Sequence, residues 1–296
     1  IIKIWKHLHN ILWGVINLTK IPTKTLNDGN QIPVLGFGTY KLNGAQGVNA
    51  INSALSNGYT LLDSAFNYEN EGTVGEAIRR SSIKREDIFV TSKLPGRHQT
   101  YDQAIPTIQE SLYRAGLDYY DLYLIHWPNP KEDHYVEAWQ ALIAAQKFGL
   151  VRSIGVCNFL PEHLERLVAE TGVTPAVNQI ELHPYWSQAP QRAYDQAHGI
   201  FTQAWSPLGR ASSVLQEPVI NAIADKHHKS AAQVILRWEF QLGVGVIPKA
   251  NSPKHQLANL DIFDFELTSE ELAAITELDK PNGRLKNQDP AVYQEF

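Results

Sequence analysis

From residue 35 to residue 247, short apolar runs alternate with amphipathic stretches, and this alternation constrains the fold more than any other feature. The runs are Leu35–Gly38, Thr60–Asp63, Ile88–Ser92, Leu122–His126, Ser153–Cys157, Ala176–Ile180, Phe201–Trp205 and Val244–Ile247. Helical periodicity fills the gaps at Val74–Arg80, Ala104–Ala115, Tyr135–Lys147, Pro161–Ala169, Pro190–His198 and Ala231–Gln241. Strands separated by helices run parallel, because the helix carries the chain back to the starting edge. Eight such units in 296 residues predict a closed (β/α)8 TIM barrel of class α/β rather than an open sheet. Asn27-Asp28-Gly29 marks an N-terminal β-hairpin between Lys24–Leu26 and Gln31–Val34. A longer loop and helix over 209–229 follow the seventh strand, and an extra C-terminal helix, Ser269–Leu278, follows the eighth. No linker or composition shift divides the chain, so residues 21–296 are expected to form a single barrel domain, with 1–20 an extension of uncertain role.

A barrel gathers the C-terminal ends of its strands on one rim, where catalytic residues sit. Asp63, Lys93, His126, Asn158, Gln179, Ser206 and Lys249 each close or follow an apolar run. Four chemically active side chains, Asp63, Tyr68, Lys93 and His126, come from the second, third and fourth strand ends and are therefore neighbours. A free tyrosine, with a pKa of about 10, is a poor catalyst near neutrality. The Lys93 ammonium is expected to favour the phenolate and lower that pKa, with Asp63 holding Lys93 charged. His126 can donate a hydrogen bond to a substrate carbonyl oxygen. Taken singly, these residues read as a helix cap, a surface lysine and a core histidine; together on adjacent strand ends they read as a site.

Composition removes several alternatives. The net charge of −5 argues against a nucleic-acid partner. One cysteine, Cys157, allows neither an intrachain disulfide nor a thiolate zinc set, which suits a reducing, cytoplasmic setting. Residues Ile1, Ile4, Trp5, Leu8, Ile11, Leu12 and Val15 share a helical face, but polar residues break the run, so a surface arm is expected and no membrane association. Gly36-Phe37-Gly38 fails the dinucleotide fingerprint, because Lys41 holds the third glycine position. His183, His227 and His228 lack metal-ligand spacing and read as loop or surface residues, so no metal is expected. A regulatory cofactor-binding subunit and a metal-free lyase or isomerase stay open on fold alone.

The motifs resemble those of the aldo-keto reductases, most of all the bacterial-type branch that includes 2,5-diketo-gluconate reductases. Leu35–Tyr40 resembles the family's first strand and loop. Leu62-Asp63-Ser64-Ala65 with Tyr68-Glu69-Asn70-Glu71 resembles the aspartate-tyrosine signature. Ser92-Lys93-Leu94, Ile125-His126-Trp127-Pro128 and Gly155–Phe159 match the next three, although serine is usual where Cys157 stands. Asn178–Glu181, Ala204–Gly209 and Ile247-Pro248-Lys249 match the last three.

The resemblance implies NADPH-dependent reduction of aldehydes and ketones, with Tyr68 as general acid assisted by Lys93, Asp63 and His126. It implies a cofactor extended across the barrel mouth, beside Gly38, Thr39 and Asp63, with Trp205 stacked on the nicotinamide. Cys157, Asn158 and Gln179 would hold the carboxamide end. Ser206, Leu208 and Gly209 would line the middle. Lys249, Ala250, Asn251, Ser252, His255 and Asn259 would meet the adenosine phosphate. The family often has serine at position 250, arginine at 255 and an acid at 258, where this chain has Ala250, His255 and Ala258. NADH use is therefore expected to be easier than is usual. Tyr40, Trp127 and Phe159, with Trp186 and the tail near Arg284 and Leu285, would wall the pocket for a small carbonyl substrate. A monomer is expected.

Overall fold

The computed structural model describes residues 21–296; the expectations placed on 1–20 lie outside the described residues. The chain first forms the hairpin, β1 (Thr23–Thr25) paired antiparallel with β2 (Gln31–Pro33). Gly29 takes a φ of 89° in its loop, a conformation glycine reaches without strain. The hairpin lies across the barrel's N-terminal end: Asn27 Nδ2 donates to the Pro175 carbonyl, and Asn30 Nδ2 to Ser153 Oγ.

Eight strands then pair in chain order, all parallel: β3 (Phe37–Gly38), β4 (Leu61–Asp63), β5 (Phe89–Leu94), β6 (Tyr120–Ile125), β7 (Val151–Cys157), β8 (Val177–Glu181), β9 (Phe201–Trp205) and β10 (Gly245–Ile247). The barrel closes where Leu35 bridges Val246 and the Gly36 amide donates to the Val246 carbonyl at 2.9 Å. Closure needs glycine there. A Cβ on Gly36 would fall 2.3 Å from Leu61 Cδ2 and 2.6 Å from Ile247 Cδ1. Val90, Leu122, Leu124, Val156, Val177 and Ala204 are fully buried, as a sheet covered on both faces requires.

The expected strands and helices are present, with shifted ends. β5 runs to Leu94, which carries Lys93 inside the strand rather than past its end. A helix over Gly44–Ser56, not among those marked by periodicity, fills the first crossover. It buries Val48, Ile51 and Leu55 on one side, although Gly47, Asn49 and Asn52 are poor helix formers. Truncating Ile51 to alanine should cost about 2–5 kcal/mol, as usual for a packed core aliphatic. Two helices stand outside the eightfold repeat, Pro218–His227 and Ser269–Thr276. The second starts with a capping box, the Thr268 hydroxyl accepting from the Glu271 amide and the Glu271 carboxylate accepting from the Thr268 amide. His183 sits in the loop after β8 but is buried rather than on the surface, with Nε2 3.0 Å from Glu181 Oε1. His227 lies at a helix end against Glu271.

Candidate active site

The four chemically active side chains meet at the C-terminal rim. Asp63 ends β4. A short 3-10 turn, Phe66–Tyr68, follows and is stopped by Glu69 in the left-handed region at φ 53°. That turn swings Tyr68 back over the rim. Lys93 Nζ donates to Asp63 Oδ1 at 2.7 Å and to the Ser64 carbonyl at 2.6 Å. Gln179 Nε2 donates to the other oxygen, Asp63 Oδ2, at 2.8 Å. Both charged groups are almost wholly buried, with side chains 1% and 6% exposed. An unpaired charge at such depth would be costly, so each holds the other in its ionised form. Burial pulls the Lys93 ammonium down, yet Asp63 and Tyr68 outweigh it and hold the group above its ordinary range.

Tyr68 sits with the Lys93 ammonium 5.1 Å from its ring centre. The rings of Tyr40 and His126 approach it edge-on, at 4.9 and 5.8 Å. Among the described residues no group hydrogen-bonds its hydroxyl, and the hydroxyl is not among the buried atoms left unpaired. Its donor hydrogen is therefore uncommitted, although little water reaches the side chain. The expected lowering of its pKa is not what the environment produces. Burial raises it to about 12, Lys93 pulls it part of the way back, and Asp63, Cys157 and Glu295 add to the rise. The sequence reading weighed the neighbouring ammonium and not the loss of water, which is the larger effect.

His126 follows β6 and meets a residue that no motif suggested. Its Nδ1 lies 2.7 Å from Glu295 Oε1. Glu295 Oε2 accepts from the Gly96 amide at 2.9 Å, and Oε1 from Asn67 Nδ2 at 2.8 Å. Burial pushes the Glu295 carboxyl up, but His126, Asn67 and the Gly96 amide outweigh that and keep it below the usual carboxylate range. Tyr293, from the same tail, packs on Trp127 at 4.4 Å.

The other rim residues form a connected belt. Asn158 is held at φ 62°, its Nδ2 donating to the His126 carbonyl and its Oδ1 accepting from Trp205 Nε1 at 2.8 Å. Gln179 also donates Nε2 to Gln203, so both its amide hydrogens are used and only Oε1 is left for a ligand donor; the Cys157 thiol touches it loosely at 4.0 Å. Cys157 is buried, and burial keeps its thiol protonated. Thr39 Oγ1 donates to the Asp63 carbonyl. Gly38 gives close backbone approach, since a Cβ there would meet the Ile247 carbonyl at 3.3 Å. Ser206 and Gly209 both take positive φ where the chain turns after β9, with Leu208 between them.

At the far end of the rim, Lys249 is exposed, and its Nζ donates to the Tyr40 carbonyl at 3.2 Å. Burial of part of that side chain, then Lys41, draws its ammonium below the ordinary range. Ala250 is buried. Ser252 caps the helix Pro253–Leu260, its hydroxyl accepting from the His255 amide. Asn251 and His255 are exposed beside that helix start, whereas Asn259 is buried against the Tyr59 hydroxyl. A lysine beside a helix N-terminus suits a phosphate, the Lys254 amide being the first-turn donor that neither Pro253 nor the Ser252 cap removes.

Of the three pocket residues Tyr40 is 45% exposed, whereas Trp127 and Phe159 are buried at 6% and 0%. Phe159 packs edge-on against Tyr135 and His163, yet it also borders a small cleft with Asn158, Trp186, Trp205 and Arg284. Arg284 stacks on Trp186 at 4.8 Å, which brings the tail to that cleft. A cavity of about 680 Å³ lies at the opposite end, between the hairpin, Asp121 and Arg152. It contains none of the residues above, and a barrel's N-terminal end serves stability rather than chemistry. Among the described residues no group of His, Cys, Asp and Glu is arranged to hold a metal, and no helix is long and apolar enough to cross a membrane.

Residues 34–280 match the model of the Aldo/keto reductase family. The chain is 48% identical over 279 residues to 2,5-diketo-D-gluconic acid reductase B of Corynebacterium sp. (strain SHS752001), covering 94% of this chain and 100% of that relative. An aldo/keto reductase crystal structure from Brucella melitensis superposes with a TM-score of 0.85 at 47% identity, covering 88% of this chain and all of that one. A Bombyx mori aldo-keto reductase solved with NADP gives 0.86 at 36% identity, covering 94% and 99%.

Proposed function

The chain belongs to the aldo/keto reductase family, enzymes that use NAD(P)H to act on carbonyl compounds, and on that premise we propose that it reduces aldehydes and ketones to alcohols with Tyr68 as the proton donor. The observation that carries this is the Tyr68 hydroxyl, without a hydrogen-bond partner among the described residues, beside an ammonium that Asp63 pins in place. Lys93 and Asp63 set the field around that hydroxyl; His126 orients the carbonyl oxygen toward it. The solved relative from Bombyx mori holds NADP. The same kind of group fits here, because Trp205 offers a partly exposed ring, Gln179 an acceptor, and Lys249 with the Ser252-capped helix a phosphate cradle. Bound NADPH supplies the hydride. Tyr40 and Trp127 favour small apolar or aromatic carbonyls.

The rise of Tyr68 to about 12 fixes a sign. The group stays almost wholly protonated up to about two pH units below that value, so the acid form needed for reduction persists through the neutral and mildly basic range. Reduction should show no loss assignable to Tyr68 up to about pH 10. Alcohol oxidation needs the phenolate and should rise about tenfold per unit over the same range. Single-turnover rates against pH check this. A basic limb of reduction centred near pH 8 and belonging to Tyr68 would contradict it.

Cofactor choice rests on position 255. A neutral histidine lacks the permanent bidentate grip of arginine on a 2′-phosphate. We expect NADPH to be preferred over NADH, but by far less than several thousand-fold in kcat/KM. His255→Arg should raise the ratio by about tenfold or more, the worth of one charge-assisted hydrogen bond. A wild-type preference of several thousand-fold would refute the idea.

A further inference from the structure

Glu295 is the one charged residue the tail inserts among the rim side chains that the reductase reading leaves without a task. An ionised carboxylate only accepts hydrogen bonds. Two nitrogens donate to this one, the Gly96 amide at 2.9 Å and Asn67 Nδ2 at 2.8 Å, and His126 Nδ1 stands 2.7 Å from Oε1 as a close charge contact whose N–H is not aligned on that oxygen. Its backbone is clamped as well. Asn129 Nδ2 donates to the Glu295 carbonyl at 2.8 Å, and the Glu295 amide donates to Asn129 Oδ1 at 3.0 Å. The two facing side chains are only 13% and 10% exposed.

We propose that Glu295 is a positioning residue for His126, its buried carboxylate drawing the imidazole to one side and holding a proton on Nδ1. This rests on the reductase reading above. A bare Nδ1 would set a lone pair against a carboxylate oxygen at 2.7 Å in a nearly dry site, an arrangement that repels. With the Nδ1 proton held beside Glu295, Nε2 is the nitrogen left for the carbonyl oxygen. To donate there too, the ring must carry both protons, and Glu295 is the countercharge for that state. Asp63, the other acid at the rim described above, is engaged by Lys93 and Gln179.

The decisive variant is Glu295→Gln, which keeps volume but leaves one acceptor oxygen. If that oxygen stays on Gly96, the amide hydrogens face His126 and Asn67; if it turns, they face the Gly96 N–H. In the first case the ring loses its acceptor; in the second it keeps an oxygen but Gly96 loses its own, and in both the ring loses the carboxylate's charge. Carbonyl reduction should fall about 10- to 100-fold, the usual loss when a histidine's outer partner is removed. The loss should lie in kcat, with NADPH binding, followed by fluorescence, within about twofold. In a His126→Ala background the same substitution should change kcat/KM by less than about twofold, because the two residues act as a unit. In ¹⁵N-histidine spectra of the wild type, the signal lost in His126→Ala should show a protonated Nδ1 at neutral pH. Three results would overturn the assignment: a folded Glu295→Gln with wild-type kcat, an equal loss in both backgrounds, or an unprotonated Nδ1. If Glu295→Gln does not fold, the wild-type spectrum decides alone. A wild type unable to reduce any carbonyl would sink the reductase reading, and the same spectrum would still judge Glu295.

Discussion

Tyr68→Phe is expected to lower carbonyl reduction by about 10²- to 10⁴-fold while leaving NADPH affinity within about twofold. The substitution removes one oxygen and little else. No group among the described residues hydrogen-bonds that hydroxyl, so its loss orphans no partner. The ring contacts with Tyr40, His126 and Lys93 are made by carbon and survive. The variant should therefore fold as the wild type does. What disappears is the proton that the developing alkoxide needs in the transition state, so the deficit belongs in kcat and kcat/KM alike rather than in KM. Steady-state reduction of a panel of aldehydes, read from NADPH absorbance, measures it. Full activity in Tyr68→Phe would end the mechanism proposed here.

The barrel and most of its rim could be read from the chain because each strand is a run of buried apolar residues that stops at a polar one. Asp63 and Asn158 show this directly, closing and following their strands, whereas Gln179 lies in the middle of β8 next to the buried Asn178. Lys93 was found for the same reason, although its strand runs one residue further. The helix Gly44–Ser56 went unmarked because glycine and asparagine dilute its pattern, and packing on the sheet overrides their poor propensity. Burial was the larger blind spot. Sequence shows which charges are near Tyr68, but not how little water reaches it, and water decides the direction of the shift. Phe159 shows the same limit: a bulky ring after a strand serves a pocket or a core equally well, and here it is buried in the core while bordering the cleft at Trp186 and Trp205. Glu295 carries no local signal at all. Its segment has no periodicity, and its partners at 67, 96, 126 and 129 are far away in sequence.

Lys93→Met should fail twice, in stability and in catalysis, and a second substitution should separate the two. Removing the ammonium leaves Asp63 buried and ionised, with Gln179 as its remaining side-chain donor. Breaking one half of a buried pair costs about 3–5 kcal/mol, because the other charge stays without compensation. Asp63→Asn added to Lys93→Met takes that charge away. The carboxamide oxygen introduced by Asp63→Asn can still accept from Gln179, and the methionine fills much of the lysine's volume, so urea unfolding should recover most of the loss. Activity should not follow. Both variants lack the positive charge that steadies Tyr68 as it gives up its proton, and both should reduce carbonyls at least about 10²-fold more slowly than the wild type. The pair thus serves chemistry at a cost in stability that an uncharged pair largely avoids. A double variant that regained activity along with stability would show that Lys93 and Asp63 only hold the rim together, and a Lys93→Met as stable as the wild type would show that the charge on Asp63 is not confined as its burial requires.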